Sequence, residues 1–143
     1  GIETILEAYP DCRLLCHSAE EEMLADPQQN FSAMQGEGIG FEADAALESC
    51  ALRIDGEELI VLETPGHSPG GVSLHWPERD LVLSGDALFR EGVGRTDLPG
   101  SDREVLNESL REVLLSLPDD TRVFPGHGPA TTIGHEKQAN PFL

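Results

Sequence analysis

The chain has 143 residues, enough for one domain with a buried core. Its 27 acidic and 9 basic side chains give a net charge of −18, which argues against nucleic acid and anionic membrane surfaces, since both demand clustered cations. An apolar fraction of 38% speaks for a folded protein, and no apolar run approaches the roughly 20 residues that span a bilayer.

The elements alternate in an α/β manner. Residues 2–9, with Ile2, Ile5, Leu6 and Tyr9, read as the end of a helix, and 12–17 as a strand. Ser18 followed by Glu21 has the form of a capping box opening a short helix through Leu24. Residues 26–41 are rich in Pro, Gln, Asn and Gly and read as a loop able to form one wall of a pocket. Leu52 to Ile54, then Asp55-Gly56, then Leu59 to Thr64 is a strand–turn–strand signal. Short strands follow at Val72 to His75 and Leu81 to Ser84. A second capping box, Ser101 with Glu104, opens the clearest helix. Its apolar stripe of Val105, Leu106, Leu110, Val113, Leu114 and Leu117 stops at Pro118. Arg122 to Phe124 is a last strand, and Ile133 to Asn140 a closing helix.

Three cysteines, Cys12, Cys16 and Cys50, cannot all pair, which fits a reducing, cytoplasmic compartment. Cys12 and Cys16 would share one face of the first strand and read as buried, structural thiols. Lys137 is the single lysine. So acidic a surface resists aggregation and suits a salt-rich cytoplasm, where screening removes the cost of self-repulsion.

Three ligand-type residues each follow a strand within a glycine-rich corner. They are His67 in Thr64-Pro65-Gly66-His67-Ser68-Pro69-Gly70-Gly71, Asp86 in Leu83-Ser84-Gly85-Asp86-Ala87, and His127 in Phe124-Pro125-Gly126-His127-Gly128-Pro129. Glycine and proline let the backbone turn sharply and present one side chain at the strand end. In layered α/β folds, strand ends of one polarity share an edge where ligands bind, so the three corners are expected to converge. Two imidazoles and a carboxylate suit Zn²⁺, Mn²⁺ or Fe²⁺, and the two oxygens of Asp86 allow it to bridge two ions.

Other polar residues carry less. His17 and His75 lack glycine-rich presentation and read as surface or packing residues. His135 belongs to the closing helix, away from a ligand role. Arg95 either meets an anionic substrate group or, as the spacing favours, pairs with Asp97 to shape its loop. Nothing around Ser68 or Ser84 resembles a serine-hydrolase elbow.

The run Pro65-Gly66-His67-Ser68-Pro69-Gly70 resembles the third metal motif of the metallo-β-lactamase superfamily, Ser84-Gly85-Asp86 its fourth and Pro125-Gly126-His127-Gly128 its fifth. Ser84 to Leu98, together with the ending through Asn140-Pro141-Phe142, is similar to glyoxalase II-like members of the single-domain type. The resemblance implies the C-terminal portion of an αββα sandwich. It implies that His67 serves one metal, His127 a second, and Asp86 both. Zinc is the expected metal, two ions in the intact protein, with iron or manganese as alternatives. The implied reaction is hydrolysis of a small thioester such as S-2-hydroxyacylglutathione, by a water whose pKa the metal lowers from about 15.7 to near 7.

The family's His-x-His-x-Asp-His motif does not occur in the 143 residues. Set against the family pattern, Gly1 to Tyr9 matches the helix that follows that motif, so the chain is expected to lack two strands and four ligands. Weak metal binding and little hydrolysis are expected of the chain alone, and an open sheet edge invites dimerisation or strand exchange. The rival readings are an iron-dependent persulfide dioxygenase on the same fold and a degenerate domain without catalysis.

Overall fold

A computed structural model describes residues 1–34 and 36–143, in two compact units, Gly1–Leu47 and Glu48–Leu143. The first unit opens with helix α1 (Ile2–Ala8). Strand β1 (Leu15–Cys16) pairs in parallel with β2 (Ala45–Ala46), and helix α2 (Glu21–Ala25) lies between them in sequence. Just before these two strands, Asp44 Oδ2 accepts the Leu14 N–H at 2.7 Å. The loop expected at 26–41 lies partly outside the described residues; within it, the Asn30 amide donates to the carbonyls of Leu24 and Ile39. No helix among the described residues is long and apolar enough to cross a membrane.

The second unit is built on a six-stranded sheet. Its strands are β3 (Ala51–Ile54), β4 (Glu57–Glu63), β5 (Val72–Trp76), β6 (Leu81–Gly85), β9 (Arg122–Pro125) and β10 (Thr131–Thr132). A separate hairpin, β7 (Leu88–Phe89) with β8 (Gly92–Val93), follows β6. The order across the sheet is β10-β9-β6-β5-β4-β3. Three antiparallel pairings run from β3 to β6, and β6 then pairs in parallel with β9. Strands β4, β6 and β9 therefore run the same way, and their C-terminal ends lie along one edge. That is the arrangement the three corners require.

Two features of the chain fix these strands. Asp55 (φ 52°) and Gly56 (φ 87°) both take left-handed backbone, the pairing a tight two-residue hairpin demands between β3 and β4. Between Leu83 and Gly85 the β6–β9 register slips, so that Leu83 faces Phe124 while Gly85 faces Pro125. Such a bulge re-aims the next side chain, here Asp86.

Beyond the sheet come α3 (Arg103–Glu108) and α4 (Ile133–Ala139). The core joins Val82 and Val123, register partners on β6 and β9, to Ala87, Leu88, Leu106, Leu110, Leu114 and Ile133. Burial of each such leucine stabilises the fold by about 1.5–3 kcal/mol.

Several local expectations are corrected. The strand at 12–17 shrinks to Leu15–Cys16, and Cys12 is exposed rather than a buried thiol. Cys16 is half-buried, and that burial, reinforced by Glu21 and Glu20, pushes its thiol pKa up. His17, not Ser18, caps the first turn of the next element, its Nδ1 accepting the Ala19 N–H at 3.1 Å. Asp102, not Ser101, caps α3, accepting from Glu104 and Val105, while the Ser101 hydroxyl turns back to the Leu98 carbonyl. In both cases the residue in the neighbouring position had the backbone geometry to reach a free helical N–H. The single helix expected from Val105 to Leu117 is three segments. Beyond Glu108 it widens to a π turn over Ser109–Val113 and tightens to a 3-10 turn over Leu114–Ser116. Val105 falls off the buried stripe. Where the helix widens, Ser109 donates to the Pro65 carbonyl at 2.8 Å, a partner from another element that helical periodicity does not encode.

Candidate metal centre

His67 is held by its own corner and by α3. After β4, Thr64 N–H donates to Gly71 O and Gly66 N–H to Ser68 O, closing a tight loop around His67. The Asp102 N–H donates to Gly66 O, and Ser109 holds Pro65. Gly66 has φ 126°, and a Cβ there would run into the Leu106 backbone. No other residue tolerates that conformation together with that contact, which explains the glycine before His67.

Asp86 follows the bulge on β6, and His127 follows β9. Gly126 N–H donates to Gly85 O at 2.8 Å, bringing the two corners together. Added Cβ atoms show how close the backbones lie. At Gly126 a Cβ would strike Asp86 Oδ1, and at Gly94 it would strike the Asp86 carbonyl and approach the His67 Cβ to 3.1 Å. Small residues here serve close approach, not flexibility.

The three side chains meet around Asp86. His127 Nδ1 lies 3.0 Å from Asp86 Oδ1, and His67 Nε2 lies 3.8 Å from Oδ2. His67 Nδ1 is 2.9 Å from the Arg95 backbone carbonyl. A carbonyl only accepts, so Nδ1 carries a proton, and in the neutral ring the lone pair lies on Nε2, towards Asp86. A carboxylate oxygen likewise accepts the His127 Nδ1–H and leaves that ring's Nε2 lone pair free. Phe89 packs edge-on against the His127 ring, with centroids 6.3 Å apart and planes at 68°. His67 and Asp86 also line a small cleft of about 70 Å³ with Thr64, Ser68 and Ser84.

This donor set fits part of a metal centre. Two ligands about 2.1 Å from a tetrahedral ion stand about 3.4 Å apart, near the His67–Asp86 spacing. Each imidazole faces a different oxygen of Asp86. Among the described residues no three His, Cys, Asp or Glu side chains surround a single ion position, so the two rings flank Asp86 and the three do not enclose one point.

The other polar residues are placed as follows. Arg95 grips Asp97 through Nε (2.7 Å) and Nη2 (2.9 Å), which raises the arginine pKa and lowers the aspartate one, first by hydrogen bonding and then by charge. Its side chain shapes the loop, as the spacing indicated. What sequence reasoning missed is its carbonyl. The Gly92 and Gly94 on either side of Val93 were the available signal that backbone, not side chain, matters there. His135 Nε2 bonds Glu91 Oε1 at 2.9 Å. His17 acts as a cap and His75 stands within β5. The Ser84 hydroxyl is buried and donates to the Leu88 carbonyl.

Comparison with known proteins adds the following. The family described as the metallo-beta-lactamase superfamily matches residues 1–127. A probable metallo-hydrolase of Streptococcus pyogenes serotype M6 is 42% identical over 149 aligned residues, covering all of this chain and 64% of its own length. The hydroxyacylglutathione hydrolase GloC of Haemophilus influenzae is 47% identical over 92 residues, covering 64% of this chain and 43% of that protein. The crystal structure of the BLEG-1 B3 metallo-beta-lactamase superposes with a TM-score of 0.91 at 38% identity, over 99% of this chain and 69% of that one. TTHA1623 in a di-iron-bound form gives 0.82 at 41% identity, over 99% and 70%. The chain thus spans a little under two thirds of the length of its Streptococcus relative.

Proposed function

We propose, since this chain belongs to the metallo-β-lactamase superfamily, that His67, Asp86 and His127 are metal ligands of a hydrolase acting on a small thioester. The observation that carries this reading is the His67–Asp86–His127 cluster, in which both rings hold their Nδ1 protons in hydrogen bonds and keep Nε2 free. Zinc is the expected metal, with iron or manganese as alternatives for such a donor set. The di-iron form of TTHA1623 supports a pair of ions at this site.

When bound, the metal supplies Lewis acidity, activating water at neutral pH and polarising the scissile carbonyl. The chain's part is to hold donors. Arg95 O fixes the His67 ring, Asp86 Oδ2 faces His67 Nε2 while its Oδ1 accepts the His127 Nδ1–H, and Phe89 packs edge-on against the His127 ring. Ser84 is no nucleophile, because its hydroxyl is committed to Leu88 O. The similarity to a hydroxyacylglutathione hydrolase supports a hydroxyacyl thioester as substrate, giving a hydroxy acid and a thiol.

The test joins this chain to a segment bearing the His-x-His-x-Asp-His motif. Metal content is measured, then thiol release from S-2-hydroxyacylglutathione. Stoichiometric metal with thiol release that Asp86→Ala abolishes is the expected result. Oxygen consumption with a persulfide, or turnover of a β-lactam alone, would replace the thioester with another substrate. Metal-free, inactive protein would leave a non-catalytic domain.

A further inference from the structure

Glu136, the middle of α4, is fully buried, and none of the proposed chemistry uses it. Its carboxyl group is held by three donors. The Glu91 N–H and the Asn140 side-chain amide each reach Oε2 at 2.8 Å, and the Thr131 hydroxyl reaches Oε1 at 2.6 Å. The same Asn140 nitrogen donates to the Gly92 carbonyl at 3.0 Å, and Asn140 Oδ1 accepts the Phe142 N–H, which fixes the amide's orientation. Burying a carboxyl group costs several kcal/mol unless its lone pairs are met, and here three donors meet them.

What these donors share is a place. Arg90 and Glu91 form the tip of the β7–β8 hairpin and Gly92 opens its second strand; Glu91 sits there in left-handed backbone (φ 55°), uncommon for a residue other than glycine. His135 on the same helix adds a bond to the Glu91 carboxyl group. At the other end the hairpin is closed by Gly94 N–H to Ala87 O at 3.1 Å. Asp86 immediately precedes Ala87, and Arg95, whose carbonyl orients His67, immediately follows Gly94. One short, doubly closed hairpin therefore joins α4 to two of the three proposed ligands.

We infer that Glu136 is a positioning residue: by fastening the hairpin tip it sets the hairpin base, and through that base the protonated nitrogen of His67 and the place of Asp86. Its consequence for metal binding rests on the reading of His67, Asp86 and His127 as ligands; its effect on the His67 ring does not.

The experiment compares the 143-residue chain with Glu136→Gln and Glu136→Ala by ¹⁵N NMR of the histidine rings, first without metal and then during a zinc titration. Unaltered chain is expected to hold His67 in a single Nδ1–H form. Glu136→Ala is expected to mix the two ring forms of His67 while melting cooperatively, and to weaken zinc about 10- to 100-fold, as loss of an orienting partner does. Glu136→Gln is expected to restore both properties. Its amide oxygen can keep Glu91 and Asn140, and its NH₂ can donate to the Thr131 hydroxyl, which also accepts. A folded Glu136→Ala with an unaltered His67 ring overturns the inference, as does Glu136→Gln behaving like Glu136→Ala. If Glu136→Ala fails to fold, Asn140→Ala, which removes the links to Gly92, Glu136 Oε2 and the Phe142 N–H but leaves Glu91 and Thr131 on the carboxyl group, must shift the His67 ring signals or the inference falls. Zinc that moves neither His67 nor His127 once the chain is joined to a segment bearing the His-x-His-x-Asp-His motif defeats the metal assignment alone, and the metal-free spectra still decide the role of Glu136.

Discussion

His67 and Arg95, 28 residues apart, are joined by one hydrogen bond, from a ring nitrogen to a backbone carbonyl at 2.9 Å. The arginine side chain takes no part in it, being turned to Asp97. Arg95→Ala is therefore expected to leave the His67 ring signals unchanged. Gly94→Ala forces a methyl against the Asp86 carbonyl and is expected to disturb those signals and cost about 1–3 kcal/mol, the usual range for overpacking. Histidine ¹⁵N spectra and denaturant melts of the two variants check the pair.

Gly126 separates effects on the site from effects on the fold. Its backbone is not left-handed, so alanine meets no conformational penalty there, but its Cβ would displace the Asp86 carboxylate. Gly126→Ala is expected to lower metal affinity at least tenfold while the melting temperature falls by no more than a few degrees. A calorimetric zinc titration beside a thermal melt reads both, and unchanged affinity would remove Asp86 from the ligand set.

His75 gives the fold an acid-side slope. Burial lowers its pKa below 6.5, against the opposing pull of Asp80 and Glu78. Above pH 6.5 the ring is neutral in both states and carries no penalty. As pH falls through 6.5 the unfolded chain takes up a proton that the folded one resists, so stability is lost down to the folded-state value. Urea midpoints measured from pH 7.5 to 5 are expected to fall, and His75→Gln to fall less over the same interval. Glu57 and Asp97, both held below their ordinary values by arginine partners, act lower still, because their contribution disappears only as pH drops through those depressed values.

The β3–β4 turn predicts a contrast between two neighbours. Asp55→Asn is expected to be neutral or slightly stabilising, since asparagine suits the left-handed backbone at φ 52°. Gly56→Ala, at φ 87°, is expected to cost about 1 kcal/mol. Urea denaturation of both variants measures the difference.

The sequence announced its three corners clearly because each rests on local chemistry: a strand, a glycine, a ligand-type side chain and a turn. Asp55-Gly56 was legible for the same reason. What stayed hidden was relational. The β7–β8 hairpin has only two residues per strand, too few for a period to show. The capping residues lay one position from the expected ones, a difference set by backbone angles and not by residue type. Glu136 looked like one more acidic residue in an acidic chain. Its spacing from Ile133 and Asn140, three and four residues away on one helix face, was the clue, but only the buried Ile133 gives that face meaning.

The parallel pairing of β6 with β9 also bears on the order of folding. His127 and Asp86 are 41 residues apart and become neighbours only through that long crossover, whereas every other adjoining pair in the sheet is a local antiparallel connection. Loop closure over such a span is slow and comes after hairpins have formed. Partly folded chains will therefore carry the His67 corner and the β3–β5 meander without His127 beside Asp86, and contact between those two side chains reports arrival at the native topology.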